Sequence, residues 1–262
     1  MKRSTTITAI ALAGLGATAL AGPEWPESQV DAGSLPDQAQ KPQGSGPLGK
    51  ISGNLSATGF ASGDFQDMYL VRIVDPGGFS ATVDATTSFN TQLWLFDVNE
   101  LGLLANDDTT TETRLSAIPV TGANDGTGAV VPICGLYYIA ISGSGSDPVS
   151  ATGVIFDQVT TTEVSGPDGF GASSPITGWA TQGDTGPYAI LLTGTEFVAC
   201  HADFDGDDAV GFVDLTRLLA AWGPCSVGGP CPTDLDGNGS TGFSDLTELL
   251  ATWGPCCPPP PT

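Results

Sequence analysis

Residues 91–98 read TQLWLFDV, a run in which most side chains are large and apolar. In an extended strand Leu93 and Leu95 lie on one face, and the aromatic side chains between and after them lie on the other. A strand with two apolar faces belongs at the centre of a sheet that is covered on both sides. The run therefore predicts a central strand of a two-sheet β-sandwich.

Other short runs along the chain have the same strand-like character, either alternating or fully apolar. They are ISGNL (51–55), DMYLVRIV (67–74), FSATVDA (79–85), RLSAI (114–118), LYYIAIS (136–142), VIFD (154–157) and YAILLTG (188–194). Turn-forming clusters such as DPGG and SGSGSDP separate them. The spacing predicts a mainly β domain over 48–198, a β-sandwich or jelly roll in which Tyr137, Ile139 and Ile141 share one face.

The charge balance limits the classes of partner. The chain of 262 residues has 29 acidic and 7 basic side chains, for a formal net charge of -22. Such a surface repels phosphate backbones, so we expect no nucleic-acid partner. It attracts divalent cations instead.

The N-terminal residues are typical of a secretory signal peptide over 1–21. Lys2 and Arg3 precede an apolar run, and Ala19-Leu20-Ala21 matches a cleavage site. The run is too short to span a bilayer, so we expect a secreted or cell-surface protein with no membrane span in the mature chain. Residues 22–47 are rich in Pro, Gly, Gln and Ser, and this composition predicts a disordered linker.

The C-terminal region, 199–256, contains an internal repeat. DFDGDDAVGFVDLTRLLAAWGPC (203–225) aligns without gaps onto DLDGNGSTGFSDLTELLATWGPC (234–256), with identity at about two-thirds of the positions. Each copy begins with twelve residues in the pattern of an EF-type loop, which binds Ca²⁺ through oxygens at positions 1, 3, 5, 7, 9 and 12. The predicted ligands are Asp203, Asp205, Asp207, the Ala209 carbonyl and Asp214, then Asp234, Asp236, Asn238, the Ser240 carbonyl and Asp245, with water beside Gly211 and Gly242. The loops predict two calcium ions whose binding is coupled to folding.

An amphipathic helix is predicted after each loop and none before it. The apolar stripes are Leu215, Leu218, Leu219 and Trp222 in the first copy, and Leu246, Leu249, Leu250 and Trp253 in the second. We expect the two stripes to face each other as a core. The fold class is thus a β-sandwich followed by a small all-α module of two loop–helix units, with a Pro-rich tail over 257–262.

Two family resemblances follow from these motifs. The repeat resembles the type I dockerin, which implies a calcium-folded module that docks into a cohesin-like domain of another protein. Loop positions 10 and 11 help to select the partner in that family and are commonly Ser or Thr there; in this chain they are Phe212-Val213 and Phe243-Ser244. GDFQDMY (63–69), TQLWLFD (91–97) with LANDD (104–108), and LYYIAI (136–141) resemble the bacterial pre-peptidase C-terminal domain, which implies a non-catalytic jelly-roll accessory module of secreted proteins.

The six cysteines are expected to be disulfide-bonded in a secreted protein. One staple per repeat, Cys200–Cys225 with Cys231–Cys256, is the preferred pairing. The rival pairing, Cys200–Cys256 with Cys225–Cys231, clasps the two ends of the module. Cys134 and Cys257 can pair with each other, or Cys257 can make an intermolecular link.

No catalytic constellation is recognisable in the sequence. The single histidine, His201, lies beside the first loop, and the many carboxylates form no glycosidase motif. We therefore expect a secreted non-catalytic protein that docks through its calcium-folded module, to a cohesin-like domain or an envelope component, and displays the sandwich. The alternative is a carbohydrate-binding or glycoside-hydrolysing part of a polysaccharide-degrading assembly, with Trp94 and Trp179 available for stacking on sugars if they are exposed.

Overall fold

A computed structural model describes residues 23–27, 31–58, 63–226 and 231–257. The predicted signal peptide and residues 258–262 of the predicted tail lie outside the described residues. The strands before residue 199 are β1 (Glu24–Pro26), β2 (Lys50–Asn54), β3 (Gln66–Ile73), β4 (Ser80–Val83), β5 (Thr91–Asp97), β6 (Gly102–Asn106), β7 (Ala117–Ile118), β8 (Gly135–Gly143), β9 (Pro148–Ser150), β10 (Gly153–Val154), β11 (Val164–Ser165), β12 (Ile176–Trp179), β13 (Pro187–Thr193) and β14 (Thr195–Glu196).

Two large sheets pack face to face as a β-sandwich. One has the strand order β1-β2-β13-β4-β7 and the other β11-β6-β5-β8-β3-β14. The main core lies between them and contains Leu93 and Leu95 of β5 together with Ile51 and Ile190 of the opposite sheet. Tyr137, Ile139 and Ile141 of β8 all lie in this core, as their alternation predicts.

The outer face of the six-stranded sheet is also covered, which explains why β5 is apolar on both sides. Trp94 and Phe96 pack there against Ile155, Phe156 and Ile176. A third sheet of order β10-β9-β12 lies at this side of the molecule. The prediction that β5 is a central strand with two buried faces is confirmed, since its residues from Thr91 to Phe96 are all buried.

Two of the predicted strands are shorter than the sequence indicates. Only Ala117–Ile118 of the run RLSAI and only Val154 of the run VIFD lie in strands. Ile155 and Phe156 are nevertheless buried. Apolar side chains in an irregular segment can fill a core as well as those in a strand, so an apolar run of four residues does not distinguish the two cases.

The prediction of a disordered linker over 22–47 is wrong for the part of the segment that the structure describes. β1 pairs in parallel with β2, with Trp25 opposite Ile51. Further along, the Met68 amide donates to the Gly33 carbonyl over 3.0 Å, and Ala32 is fully buried. The segment completes open edges of both sheets through its backbone, and backbone pairing requires no apolar pattern in the sequence.

The C-terminal module contains α1 (Phe212–Ala220), α2 (Phe243–Ala251) and four two-residue strands: β15 (Ala209–Val210), β16 (Gly223–Pro224), β17 (Ser240–Thr241) and β18 (Gly254–Pro255). The strand in each loop pairs with the Gly-Pro strand that follows the helix of the other repeat: β15 with β18, and β16 with β17. The two copies are therefore interlocked rather than merely adjacent.

The helical stripes, which are predicted to face each other as a core, are only partly buried. Leu218 and Leu249 are fully buried between the repeats, whereas Leu219 and Leu250 are about half exposed. Two helices of nine residues can cover only one narrow face of each other. None of the helices in the described ranges is long and apolar enough to cross a membrane.

The disulfide pattern corrects the preferred pairing. The bridges are Cys200–Cys256 and Cys225–Cys231, which is the rival arrangement, together with Cys134–Cys257. The strand exchange explains this result, because it brings the end of the second repeat beside the start of the first. The bridge from Cys134 ties the module back onto the sandwich.

Candidate functional site

Both loops gather carboxylates around one point. In the first loop, oxygens of Asp203, Asp205 and Asp214 lie within 4.8 Å of one another. The equivalent residues of the second loop, Asp234, Asp236 and Asp245, form a group of the same kind. These are loop positions 1, 3 and 12, so three predicted ligands in each repeat converge as a cation with oxygen ligands requires.

The position-12 aspartates are held by backbone amides. Asp214 Oδ1 accepts from the amides of Phe204 (2.7 Å) and Asp205 (3.2 Å), and its Oδ2 accepts from Gly211 (2.7 Å). Asp245 accepts in the same way from Leu235, Asp236 and Gly242. Both side chains are almost fully buried, so each carboxylate joins the start of its helix to the start of its loop.

The aspartate at position 1 of each loop accepts hydrogen bonds from backbone amides in the middle of that loop. Asp203 accepts from the amides of Gly206 (2.7 Å) and Asp208 (2.9 Å). Asp234 accepts from the amides of Asn238 (3.0 Å) and Gly239 (2.8 Å). The position-6 amide is bonded in both loops, whereas the other amide comes from position 4 in the first loop and from position 5 in the second.

The predicted ligands at loop positions 5 and 7 are not part of the converging group of carboxylates. Asp207 is outside the converging group, and its Oδ1 accepts from the Ala209 amide over 3.0 Å. Asn238 occupies the same position in the second loop and accepts from the Ser240 amide, also over 3.0 Å. The matching bonds hold Ala209 and Ser240, the predicted carbonyl ligands, in equivalent turns.

The sharp bend at position 6 is present in both loops. Gly239 has φ of +88°, and Asp208 has φ of +63°. This left-handed region costs glycine little and other residues more, although Asp tolerates it better than most. Asp208 also pairs with the buried guanidinium of Arg72 over 2.8 Å, so the strained residue contacts the sandwich.

Like charges crowd the first loop. The pKa of Asp205 is raised, by partial desolvation and by the charges of Asp207 and Asp214. In the second loop the pKa of Asp236 is lowered instead, by hydrogen bonds from Ser244 and Asn238 among other contacts. A bound cation would relieve the repulsion in the first loop, which is the more acidic of the two.

Cysteine sulfurs also lie near Asp203 and Asp234, but all of them are in disulfides. The loops therefore offer oxygen donors only. Oxygen-only donor sets fit Ca²⁺ better than zinc, which prefers nitrogen and sulfur ligands.

Exposed aromatic side chains flank the loops. Phe212 packs edge-on against Trp253, and Phe243 against Trp222, each pair with ring centroids 5.0 Å apart. Phe212 is 77% and Phe243 79% exposed. We call these exposed aromatic residues, together with the half-exposed Val213, the aromatic surface.

A further carboxylate cluster lies on the sandwich and was missed from the sequence. Oxygens of Glu27, Asp31 and Asp67 lie within 4.8 Å of one another, so these residues too could hold a cation. Asp67 is fully buried; its Oδ2 accepts from the Tyr188 hydroxyl over 2.6 Å, and no described residue donates to its Oδ1. The closely spaced Asp64 and Asp67 were visible in the sequence, but their partners lie in the segment predicted to be disordered.

Stability should fall with rising pH because of this cluster. Burial and the neighbouring carboxylates raise the pKa of Asp67 to about 8 and that of Asp64 to about 7, from 3.8. A raised folded-state pKa stabilises the protein below the unfolded value, and this contribution is lost as pH rises through the folded value. We expect unfolding free energy in chelator to drop between pH 5 and pH 8, by up to about 1.4 kcal/mol per pH unit for each titrating group.

Urea unfolding at several pH values, with chelator present, measures this slope. Asp67→Asn should flatten it, whereas the exposed Asp37→Asn should leave it unchanged. An Asp67→Asn protein with the wild-type slope would show that the cluster does not titrate as described.

The remaining sequence candidates have structural roles. Trp94 is buried, and Trp179 packs against it at 6.2 Å while donating to the Ser34 carbonyl over 2.8 Å. His201 is largely buried and lies 2.9 Å from Glu248 of α2. Trp94 is therefore not free to stack on a sugar, whereas Trp179 is partly exposed.

No known protein family matches this chain, and no curated protein matches it either.

Proposed function

We propose that the protein is a secreted, non-catalytic component whose C-terminal module, residues 199–256, folds around two calcium ions and docks onto a partner protein. The observation that carries this proposal is the convergence of the position 1, 3 and 12 carboxylates in both loops. Two such loops in register, each followed by a helix, favour a dedicated pair of calcium sites over a pair of acidic turns.

The docking role rests on the aromatic surface. Phe212 and Phe243 occupy loop position 10 in the two repeats and are exposed side by side with tryptophans of the opposite repeat. Large aromatic side chains left exposed on a small module are typical of protein interfaces. Calcium binding would set the geometry of this surface, because Asp214 and Asp245 anchor the first turns of the helices that carry it.

In this proposal the β-sandwich is the domain that the protein displays when its C-terminal module is docked. We assign it a jelly-roll accessory role like that of the domain it resembles. Three disulfides support an oxidising compartment, in keeping with the predicted signal peptide.

Capture from the secretome of the producing organism tests the docking role. Wild-type protein in calcium should retain a partner that binds again after purification and is released by chelator. Phe212→Ala/Phe243→Ala should weaken this binding at least about tenfold, because aromatic interface anchors typically contribute 2 kcal/mol or more each. Phe170→Ala, which removes an exposed phenylalanine of the sandwich, is the matched control. Equal binding by the double variant and the control would refute docking through this surface.

A further inference from the structure

The sandwich contains a buried cation, Arg72 of β3, whose side chain is 7% exposed. Its guanidinium donates to the Val198 carbonyl through Nε (3.2 Å) and Nη2 (3.0 Å), and to Asp208 Oδ1 through Nη2 (2.8 Å). Among the described residues, Asp208 is the only carboxylate in ion-pair contact with this guanidinium. Glu196 lies opposite Arg72 in the pairing of β14 with β3, but no ion pair joins their side chains. The charge of Arg72 is therefore balanced by the C-terminal module and not by the sandwich.

This arrangement makes the stability of β3 depend on Asp208. Burying a charged group is unfavourable unless a counter-ion and hydrogen bonds accompany it. The Val198 carbonyl supplies hydrogen bonds to Arg72 but no charge. Asp208 is itself 73% exposed, so the unfavourable desolvation falls on the arginine. If Asp208 moves away, Arg72 remains as a buried charge without a counter-ion.

Asp208 is also part of the first calcium loop, at position 6, where its backbone has φ of +63°. Its amide donates to Oδ2 of Asp203, the predicted ligand at position 1, over 2.9 Å. Its carbonyl accepts from the Cys256 amide, at the end of the second repeat, over 3.0 Å. The residue that neutralises Arg72 is therefore held in place by a predicted calcium ligand and by both repeats of the module.

The second loop shows that the bend at position 6 does not require an aspartate. Gly239 occupies that position with φ of +88°, and its amide donates to Asp234 Oδ2 over 2.8 Å, just as Asp208 donates to Asp203. Glycine adopts this conformation with little strain. The side chain of Asp208 is thus not needed to form the loop, and its contact in the structure is with Arg72.

We infer that Arg72 couples the first calcium loop to the sandwich, so that calcium bound in this loop stabilises β3. The inference rests on the proposed function, because it requires an ion in the loop. Residues 203–214 include five aspartates, and without a cation their mutual repulsion opens the loop. Asp208 then leaves Arg72, and β3 opens more often. The Cys134–Cys257 bridge joins the domains in both states, so the coupling changes the order of β3 without separating the domains.

Hydrogen–deuterium exchange of the whole protein, in calcium and in chelator, measures the coupling segment by segment. In wild-type protein the peptides that cover β3 should exchange at least about fivefold faster in chelator. The peptides that cover residues 203–214 should also exchange faster in chelator, because the loop loses its ion. Arg114→Met, which removes an exposed arginine of the sandwich, is the matched control and should behave as wild type.

Two variants separate the coupling from a general loss of stability. Arg72→Met replaces the cation with an apolar side chain, so β3 should exchange slowly in both conditions while the loop still responds to chelator. Asp208→Gly installs the residue of the second loop and leaves Arg72 unpaired, so β3 should exchange fast in both conditions. Combining the two substitutions should restore slow exchange of β3, because the charge that needs a partner is then absent.

Equal exchange of wild-type β3 in calcium and in chelator, with a loop that still responds, would overturn the coupling and leave calcium binding intact. A response of β3 in Arg72→Met as large as in wild type would overturn it too. If no loop peptide responds to chelator, the coupling and the proposed function both fail. If Arg72→Met does not fold, Asp208→Gly decides, and a wild-type response of β3 in that variant also overturns the coupling.

Discussion

Asp214→Asn should cost the protein about 3 kcal/mol of unfolding free energy in saturating calcium. The carboxylate accepts three backbone hydrogen bonds, and an amide oxygen can replace only part of them. Hydrogen bonds to a charged group contribute about 1.5–3 kcal/mol each. The substitution also removes the ligand at position 12, so the first loop should lose its calcium ion. Urea unfolding followed by near-ultraviolet circular dichroism measures the change.

The second repeat supplies the matched control. Asp207→Asn installs in the first loop the residue that Asn238 places at position 5 of the second loop. We expect this variant to lose less than about 1 kcal/mol and to keep both ions, since Asp207 is exposed and its side chain accepts a single bond, from the Ala209 amide. Similar losses for Asp207→Asn and Asp214→Asn would mean that charge alone, not the buried position-12 carboxylate, stabilises the loop.

Removing the Cys134–Cys257 bridge should have the largest effect among the disulfides. It joins residues 123 apart, and closing a loop of that length stabilises a protein by roughly 4–5 kcal/mol in the chain-entropy description. Cys134→Ala/Cys257→Ala should therefore lower the unfolding free energy by about that amount. It should also leave the salt bridge between Arg72 and Asp208 as a noncovalent contact between sandwich and module.

Cys225→Ala/Cys231→Ala is the internal comparison. That bridge joins residues only 6 apart, so its removal should cost about 2 kcal/mol. Urea unfolding of both double variants under non-reducing conditions gives the two values. An equal or smaller loss for the long-range pair would contradict the role of Cys134–Cys257 as the tether.

Much of the sandwich could be predicted because its strands carry period-two signals. The run of residues 91–98 identified a central strand, and the alternation in β8 identified the core-facing residues Tyr137, Ile139 and Ile141. These patterns are local in the sequence. The predictions made from them were correct for strands whose burial depends on their own side chains.

What could not be predicted depended on contacts between distant segments. The N-terminal segment pairs with the sheets through its backbone, so its polar composition led to the wrong prediction of a disordered linker. The cluster of Glu27, Asp31 and Asp67 was missed for the same reason, because Glu27 and Asp31 lie in that segment. The disulfides follow from the exchange of Gly-Pro strands between repeats, which no local pattern reveals.

The calcium content of the purified chain tests the central proposal most directly. Equilibrium dialysis against micromolar calcium measures the calcium content of the wild-type protein and of Asp214→Asn/Asp245→Asn. The difference between the two values is the number of ions bound by the two loops, because ions bound elsewhere contribute equally to both. We expect wild-type protein to bind two more ions per chain than the double variant and to gain near-ultraviolet ellipticity as they bind. Equal calcium content in the two proteins would contradict the assignment of the loops as calcium sites.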